Sequence, residues 1–305
     1  MTKTICRAEK RNFGKTIMAF FAVCAWAASS HAQTASDRQG LDEQPAAARG
    51  HVYWTNSGNG SVGRATIAGS RVSEKFIVLN TTGGAGLTVN KSYIYWTSAN
   101  GGTATTIARA NLNGTGVNQS FITGAQNPCG VAVDSSYIYW AGDVGTSIGR
   151  AKLDGSGVNQ DFIATGNGVC GVAVTGTHIY WANYETGDIG RAKLDGSDVN
   201  DDFISGCGSG IAIEGKYIYF TTTSGIGIGR ANIDGTDVNT SFMTGLNGEI
   251  AFLAVDSNYI FWADWGSAGS GTTIGRANLD GTQPNQSFIK GTKGGFGIAV
   301  TGGDP

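Results

Sequence analysis

The sequence predicts an all-β chain, and three observations carry that prediction. A run of the form Tyr-Ile-Tyr-Trp returns six times, as HVYW (51–54), YIYW (93–96), YIYW (137–140), HIYW (178–181), YIYF (217–220) and YIFW (259–262), with starts 42, 44, 41, 39 and 42 residues apart. Every return brings further short runs rich in β-branched and aromatic residues, and no apolar spacing of helical period lies between them. Glycine supplies 49 of 305 residues, about 16% against a usual share of roughly 7%. It gathers between the runs, where Asp-Gly and Asn-Gly pairs favour the positive φ angles of tight hairpins.

Each unit reads in a fixed order. An apolar run such as GVAV (130–133) or GIAV (297–300) precedes the YIYW run. A variable polar loop follows, and then an Arg-Ala pair at Arg64, Arg109, Arg150, Arg191, Arg230 and Arg276. Next comes a turn with Asp154, Asp195, Asp234 or Asp280 before glycine, Asn113 and Ala68 replacing the aspartate in the second and first copies. Phe76, Phe121, Phe162, Phe203, Phe242 and Phe288 close the six units. Four strands in about 40 residues, repeated, is the pattern of a propeller blade. The first copy lacks the apolar run before HVYW, while the chain finishes with GFGIAV (295–300) and no YIYW behind it. Joined, the two ends make one complete unit, which also pairs strand edges otherwise left open. The expectation is therefore a six-bladed β-propeller of four-stranded blades, closed by the C-terminal strand completing the first blade, over residues 50–305.

Residues 1–32 differ from the rest. Lys3, Arg7, Lys10, Arg11 and Lys15 precede the apolar run 16–28 and the small-residue exit Ser30-His31-Ala32, which reads as a signal peptide cleaved after Ala32. The run is shorter than the roughly 20 residues of a spanning helix, so no membrane span and an exported, periplasmic or secreted protein are expected. KRNFGK (10–15) resembles a weakened twin-arginine signal, and general secretion is the simpler route. Residues 33–49 read as a flexible leader. Without the signal the chain holds 16 basic and 22 acidic residues, a net charge of −6. Low, slightly negative charge argues against a nucleic-acid partner, and a monomer is expected.

The runs YWTN (53–56), YWTS (95–98) and FWAD (261–264), the preceding AVD (132–134 and 254–256) and the following RANLDG (276–281) resemble the YWTD repeats of low-density-lipoprotein-receptor class B propellers. The resemblance implies a six-bladed propeller with the GVAV-type strand innermost, in a stand-alone exported bacterial relative. The chain lacks flanking Cys-rich modules and usually replaces the fourth motif residue, so receptor function does not carry over.

Six copies can be compared with one another. Residues that recur, such as the six arginines and Asn118, Asn159, Asn200, Asn239 and Asn285, are expected to serve the blade. Departures gather in the loop after YIYW, which in this strand order opens on the face of the blade-to-blade connections. The fourth copy brings Asn183, Tyr184, Glu185 and Asp188, and the sixth brings Asp264 and Trp265; Asp143 and Asn56 occupy the matching loops of the third and first. Carboxylates beside an exposed Trp and Tyr suit a protein, peptide or glycan ligand, or a cation, and the leading expectation is a non-enzymatic binding protein. The alternative is a metal-assisted lyase or hydrolase, similar to lactonases or streptogramin lyases, at the mouth of the central channel. Glu249 and His178 are its candidate metal residues and Ca or Mg its candidate ion, although no cofactor is required by any motif. His51 and His178 replace a tyrosine of the repeat, which points to packing. Cys129 and Cys170 occupy identical register in adjacent units and are the leading expectation for a disulfide, with Cys207 unpaired or competing for one partner; a three-thiolate metal site and three buried thiols are the alternatives. Cys207 sits three residues before the equivalent strand, and all three cysteines are expected near one end of the channel.

Overall fold

The computed structural model describes residues 50–81, 83–98, 105–142, 146–166 and 168–302. The expected signal peptide and leader, and Asp143, lie outside the described residues. Blade one takes β1 (His51–Asn56), β2 (Ser61–Thr66) and β3 (Ser73–Val78), and blade two takes β4 (Gly84–Val89), β5 (Tyr93–Ser98), β6 (Thr106–Asn111) and β7 (Asn118–Thr123). Blade three is β8 (Pro128–Val133), β9 (Tyr137–Gly142), β10 (Ser147–Lys152) and β11 (Asn159–Ala164). Blade four is β12 (Val169–Val174), β13 (His178–Asn183), β14 (Asp188–Lys193) and β15 (Asn200–Ser205). Blade five is β16 (Cys207–Glu214), β17 (Tyr217–Thr222), β18 (Ile228–Asn232) and β19 (Asn239–Met243). Blade six is β20 (Ile250–Val255), β21 (Tyr259–Asp264), β22 (Thr273–Asn278) and β23 (Asn285–Lys290). The last strand, β24 (Gly295–Val300), pairs antiparallel with β1, Tyr53 opposite Ala299, and becomes the innermost strand of blade one. Six four-stranded antiparallel sheets thus form a ring, a six-bladed β-propeller. Among the described residues the one helical element is a 3-10 turn, Ser267–Gly269.

The repeated residues explain why this sequence makes blades. In four of the six blades the tryptophan of the YIYW run lies across a glycine on the next strand: Trp54 pairs with Gly63, Trp140 with Gly149, Trp181 with Gly190 and Trp262 with Gly275. A Cβ at any of these glycines would overlap the indole. Fully burying so large an aromatic contributes roughly 1.5–3 kcal/mol, and the glycine is what makes room for it. Closer to the axis, the inner strands meet at a second glycine, where a Cβ on Gly130 would strike the Cys170 carbonyl oxygen. Blade six departs here and places Phe252 on the axis, buried.

The arginines do the opposite job, on the outer part of each blade. The guanidinium carbon of Arg150 lies 4.3 Å from the Tyr137 ring centroid and 3.7 Å from that of Phe162. Its Nη1 donates to the Leu194 carbonyl oxygen of blade four at 3.2 Å. Arg109 repeats the arrangement toward Leu153, so the arginine sandwich ties each of these blades to the next. Nearer the axis Thr55 Oγ1 donates to Ala85 O at 2.7 Å and accepts from Gly297 N at 2.8 Å, joining β24, β1 and β4.

Candidate functional site

Strand order fixes two faces. The loops between the second and third strands of a blade emerge with the blade-to-blade connections, here called the upper face; the two remaining hairpin turns of each blade emerge on the lower face. The axis is not uniform. Its lower half is a bore of about 200 Å³ walled by the inner strands, including Val131, Val172, Ile211 and Ile298. Its upper half is narrowed by the axial glycines and by Phe252, whose ring centroid is 5.4 Å from that of Phe296 on β24.

Phe296 in turn meets Trp265 edge-on at 6.0 Å, and Tyr184 packs on the same apolar cluster as Trp265, Phe252, Ala251, Cys129 and Cys170. The cluster therefore draws together pattern-breaking residues of blades one, four and six on the upper face. Tyr184 and Trp265 are among the residues expected at a site from the sequence. Phe252 and Phe296 are not, although Phe252 replaces a glycine shared by the other inner strands and Phe296 replaces a small residue. That break in the repeat was the signal.

Carboxylates border the aromatic group. Trp265 N donates to Glu249 O at 2.8 Å, which holds the Trp265 backbone beside Glu249, the residue before β20. Burial alone pushes the Glu249 carboxyl above its ordinary value. Burial does the same to Asp264, against the opposing hydrogen bonds from Thr273 and the Gly266 backbone. Asp264 Oδ2 accepts from Thr273 Oγ1 at 3.2 Å, while Oδ1 is buried without a partner among the described residues. Glu185 is exposed and Asp188 half-buried. Desolvated carboxylates beside aromatic faces form an arrangement that gains from an incoming positive charge.

Other expected site residues are placed elsewhere. Asn56 is fully buried. Its Oδ1 accepts from Lys293 N at 3.0 Å and Trp54 Nε1 at 3.2 Å, and its Nδ2 donates to Glu74 O at 3.0 Å and Ser61 Oγ at 3.1 Å. Those bonds occupy the whole amide, so Asn56 is an interior node and not a ligand contact. Asn183 is also buried, and its Oδ1 accepts from the backbone N–H groups of Glu185 and Thr186, both at 3.1 Å. His178 begins β13 at the lower face, where burial and then Arg191 and Lys193 lower its pKa. It thus stands at the opposite end of the ring from Glu249, and the two do not share one metal site. Among the described residues no group of three His, Cys, Asp or Glu side chains is placed to hold a metal ion.

Cys129 and Cys170 are disulfide-bonded, with Cα atoms 4.9 Å apart, and join the inner strands of blades three and four just beneath the aromatic group. Cys207 departs from the expectation of a channel-end position. A register shift between Cys207 and Ile211 lengthens β16, and the thiol is fully buried in the core between blades four and five with Tyr180, Ile189 and Ile204. Burial raises its pKa.

Six antiparallel four-stranded blades around a narrowed axis define the class: a six-bladed β-propeller. No protein-family model and no curated protein matches the chain. Among solved structures, the chain is similar to one from the nidogen/laminin complex, with a TM-score of 0.66 and 16% identity over 82% of this chain and 98% of that one. At that identity the likeness establishes a common fold. No helix among the described residues is long and apolar enough to cross a membrane.

Proposed function

We propose that this chain is a non-enzymatic binding propeller, exported as a periplasmic or secreted protein, that takes a protein or peptide partner on its upper face. The observation that carries the reading is the stack from Phe252 through Phe296 to Trp265, flanked by Tyr184 and by Glu249, whose carboxyl is desolvated without a compensating cation. Aromatic side chains anchored on a rigid core are the usual hot spots of protein interfaces. A basic side chain of the partner suits this surface best, because it relieves the half-buried carboxylate and lies against the aromatic faces. The similar fold in the nidogen/laminin complex, an assembly of proteins, supports a protein over a glycan.

The test is selection of a random peptide library displayed on phage against the purified protein, with Trp265→Ala as counter-target. The expected outcome is enrichment of peptides carrying Lys or Arg that bind the wild type and not the variant. Equal recovery on both proteins, or binding confined to a glycan array, would refute the reading.

A further inference from the structure

Blades one and four are alike where the other four differ. Both begin the second strand with histidine and end it with asparagine, as His51 and Asn56 in β1 and His178 and Asn183 in β13, and both carry an acid as the second residue of the fourth strand, Glu74 or Asp201. In blade one these residues close on one another. Glu74 Oε2 accepts from Trp54 Nε1 and Asn56 Nδ2, each at 3.4 Å.

In blade four the acid is one methylene shorter, and the same closure fails. Trp181 Nε1, Asn183 Nδ2 and Asp201 Oδ1 are all buried, and none has a hydrogen-bond partner among the described residues. Trp181 is fully buried and Asn183 is 1% exposed. A buried acceptor without a partner recurs at the same strand position in the first three blades, as Glu74 Oε1, Gln119 Oε1 and Gln160 Oε1. Among the described residues, an unpaired indole N–H and an unpaired amide accompany it in blade four alone. Two donor atoms and one acceptor left unmade in one interior are costly unless something joins them. One water molecule can join all three atoms, accepting from the indole N–H and one amide N–H and donating to the carboxylate.

We infer that Trp181, Asn183 and Asp201 hold a single buried water molecule, and that this water fixes the loop carrying Tyr184 and Glu185. The link to the loop is Asn183. Its Oδ1 receives the Glu185 and Thr186 N–H groups, so whatever holds its Nδ2 also orients the loop. In blade one the longer Glu74 takes the place of the water directly. Burial is the first cause that raises the Asp201 pKa, and the Trp181 indole N–H, near enough to the carboxylate to lower it but outside full hydrogen-bonding geometry, opposes it. The value of the loop for binding rests on the function proposed above; the hydration site does not.

A high-resolution crystal structure of the wild-type protein and of Asp201→Glu tests it. The wild type is expected to show one water within hydrogen-bonding distance of all three atoms. In Asp201→Glu the carboxylate is expected in its place, arranged as Glu74 is in blade one, with the 184–186 backbone unmoved. The same variant should melt about 2 °C higher, a shift typical of a domain this size gaining a fraction of a kcal/mol. A direct Trp181–Asp201 hydrogen bond with no solvent in the wild-type density overturns the inference. So does a water that stays in place in Asp201→Glu. Because density at blade four is read without any ligand, a protein that captures no peptide leaves this result standing, and the two proposals fail separately.

Discussion

Arg276 Nη1 donates to the carbonyl oxygen of Ile67 at 3.2 Å, and these two residues stand on either side of the seam where the ring closes. The guanidinium carbon is held 4.3 Å from the Tyr259 centroid and 4.0 Å from that of Phe288. The seam is thus fastened twice, by this arginine on the outer blade and by pairing of β24 with β1 near the axis. Replacement by methionine keeps an apolar stem between the rings and removes the charge. Arg276→Met is expected to destabilise the protein by about 2 kcal/mol, from a charged hydrogen bond and two cation–π contacts. Arg276→Lys should recover little, because an ammonium cannot stack flat between two rings while donating sideways. Urea denaturation midpoints of the two variants check this; wild-type stability in either would contradict it.

The disulfide makes a second prediction. Cys129 and Cys170 are 41 residues apart in sequence, and closing a loop of that length restricts the unfolded chain by up to about 4 kcal/mol in the entropic account. The double variant Cys129→Ala/Cys170→Ala should therefore melt well below the wild type. Alkylation under native conditions should label no thiol, because Cys207 is fully buried. In denaturant without reductant one of the three cysteines in the 50–305 region should react. Three reactive thiols would mean that the bond does not form.

Much of this architecture was legible because it was written several times. Trp54 and Gly63, or Arg150 and Phe162, recur at fixed spacing, and their contacts follow from strand pairing alone. What resisted reading was set by partners distant in sequence. Asn56 stands at a loop edge and looked available, yet Glu74 and Lys293 bury and saturate it. Cys207 was expected at the channel with the other two cysteines, yet β16 takes it in as its first residue, opposite Thr222, and buries it in a blade interface. Trp265 and Tyr184 were marked for breaking the repeat in a loop. Phe252 and Phe296 break it within strands, where an apolar residue draws no notice until the axis is seen to narrow there.

The tryptophan and glycine pairs allow a sharper test. Gly190 lies opposite Trp181, and a Cβ there would overlap the indole. Gly190→Ala is expected to cost about 1–3 kcal/mol through overpacking. Blade two already carries the methyl, with Ala108 opposite Trp96, and Trp96 remains fully buried. Ala108→Gly should therefore lose no more than about 1 kcal/mol, the ordinary cost of glycine within a strand. Denaturation midpoints of the two variants should differ clearly, and equal losses would show that the blades tolerate either residue.

The last prediction concerns pH. Burial is the one cause that raises the Glu249 pKa above the ordinary value of 4.5. Its folded-state pKa therefore lies above its unfolded-state value, and the charged form is the disfavoured one in the fold. Between the two values the folded protein binds more protons than the unfolded chain, so this residue's contribution to stability grows as pH falls through the folded-state pKa. It is complete below the unfolded value and lost at neutral pH. Glu249→Gln, which carries no charge, should consequently be more stable than the wild type at pH 7, and the advantage should close as the pH is lowered below about 4. Binding of a basic peptide should move the other way, weakening in acid at a higher pH than a solvated glutamate would dictate, because the bound cation needs the ionised carboxylate. Melting curves of both proteins across this range, with and without a selected peptide, read both trends. A stability difference that is constant with pH would show that Glu249 is not desolvated, and would remove the electrostatic reason for expecting a basic partner.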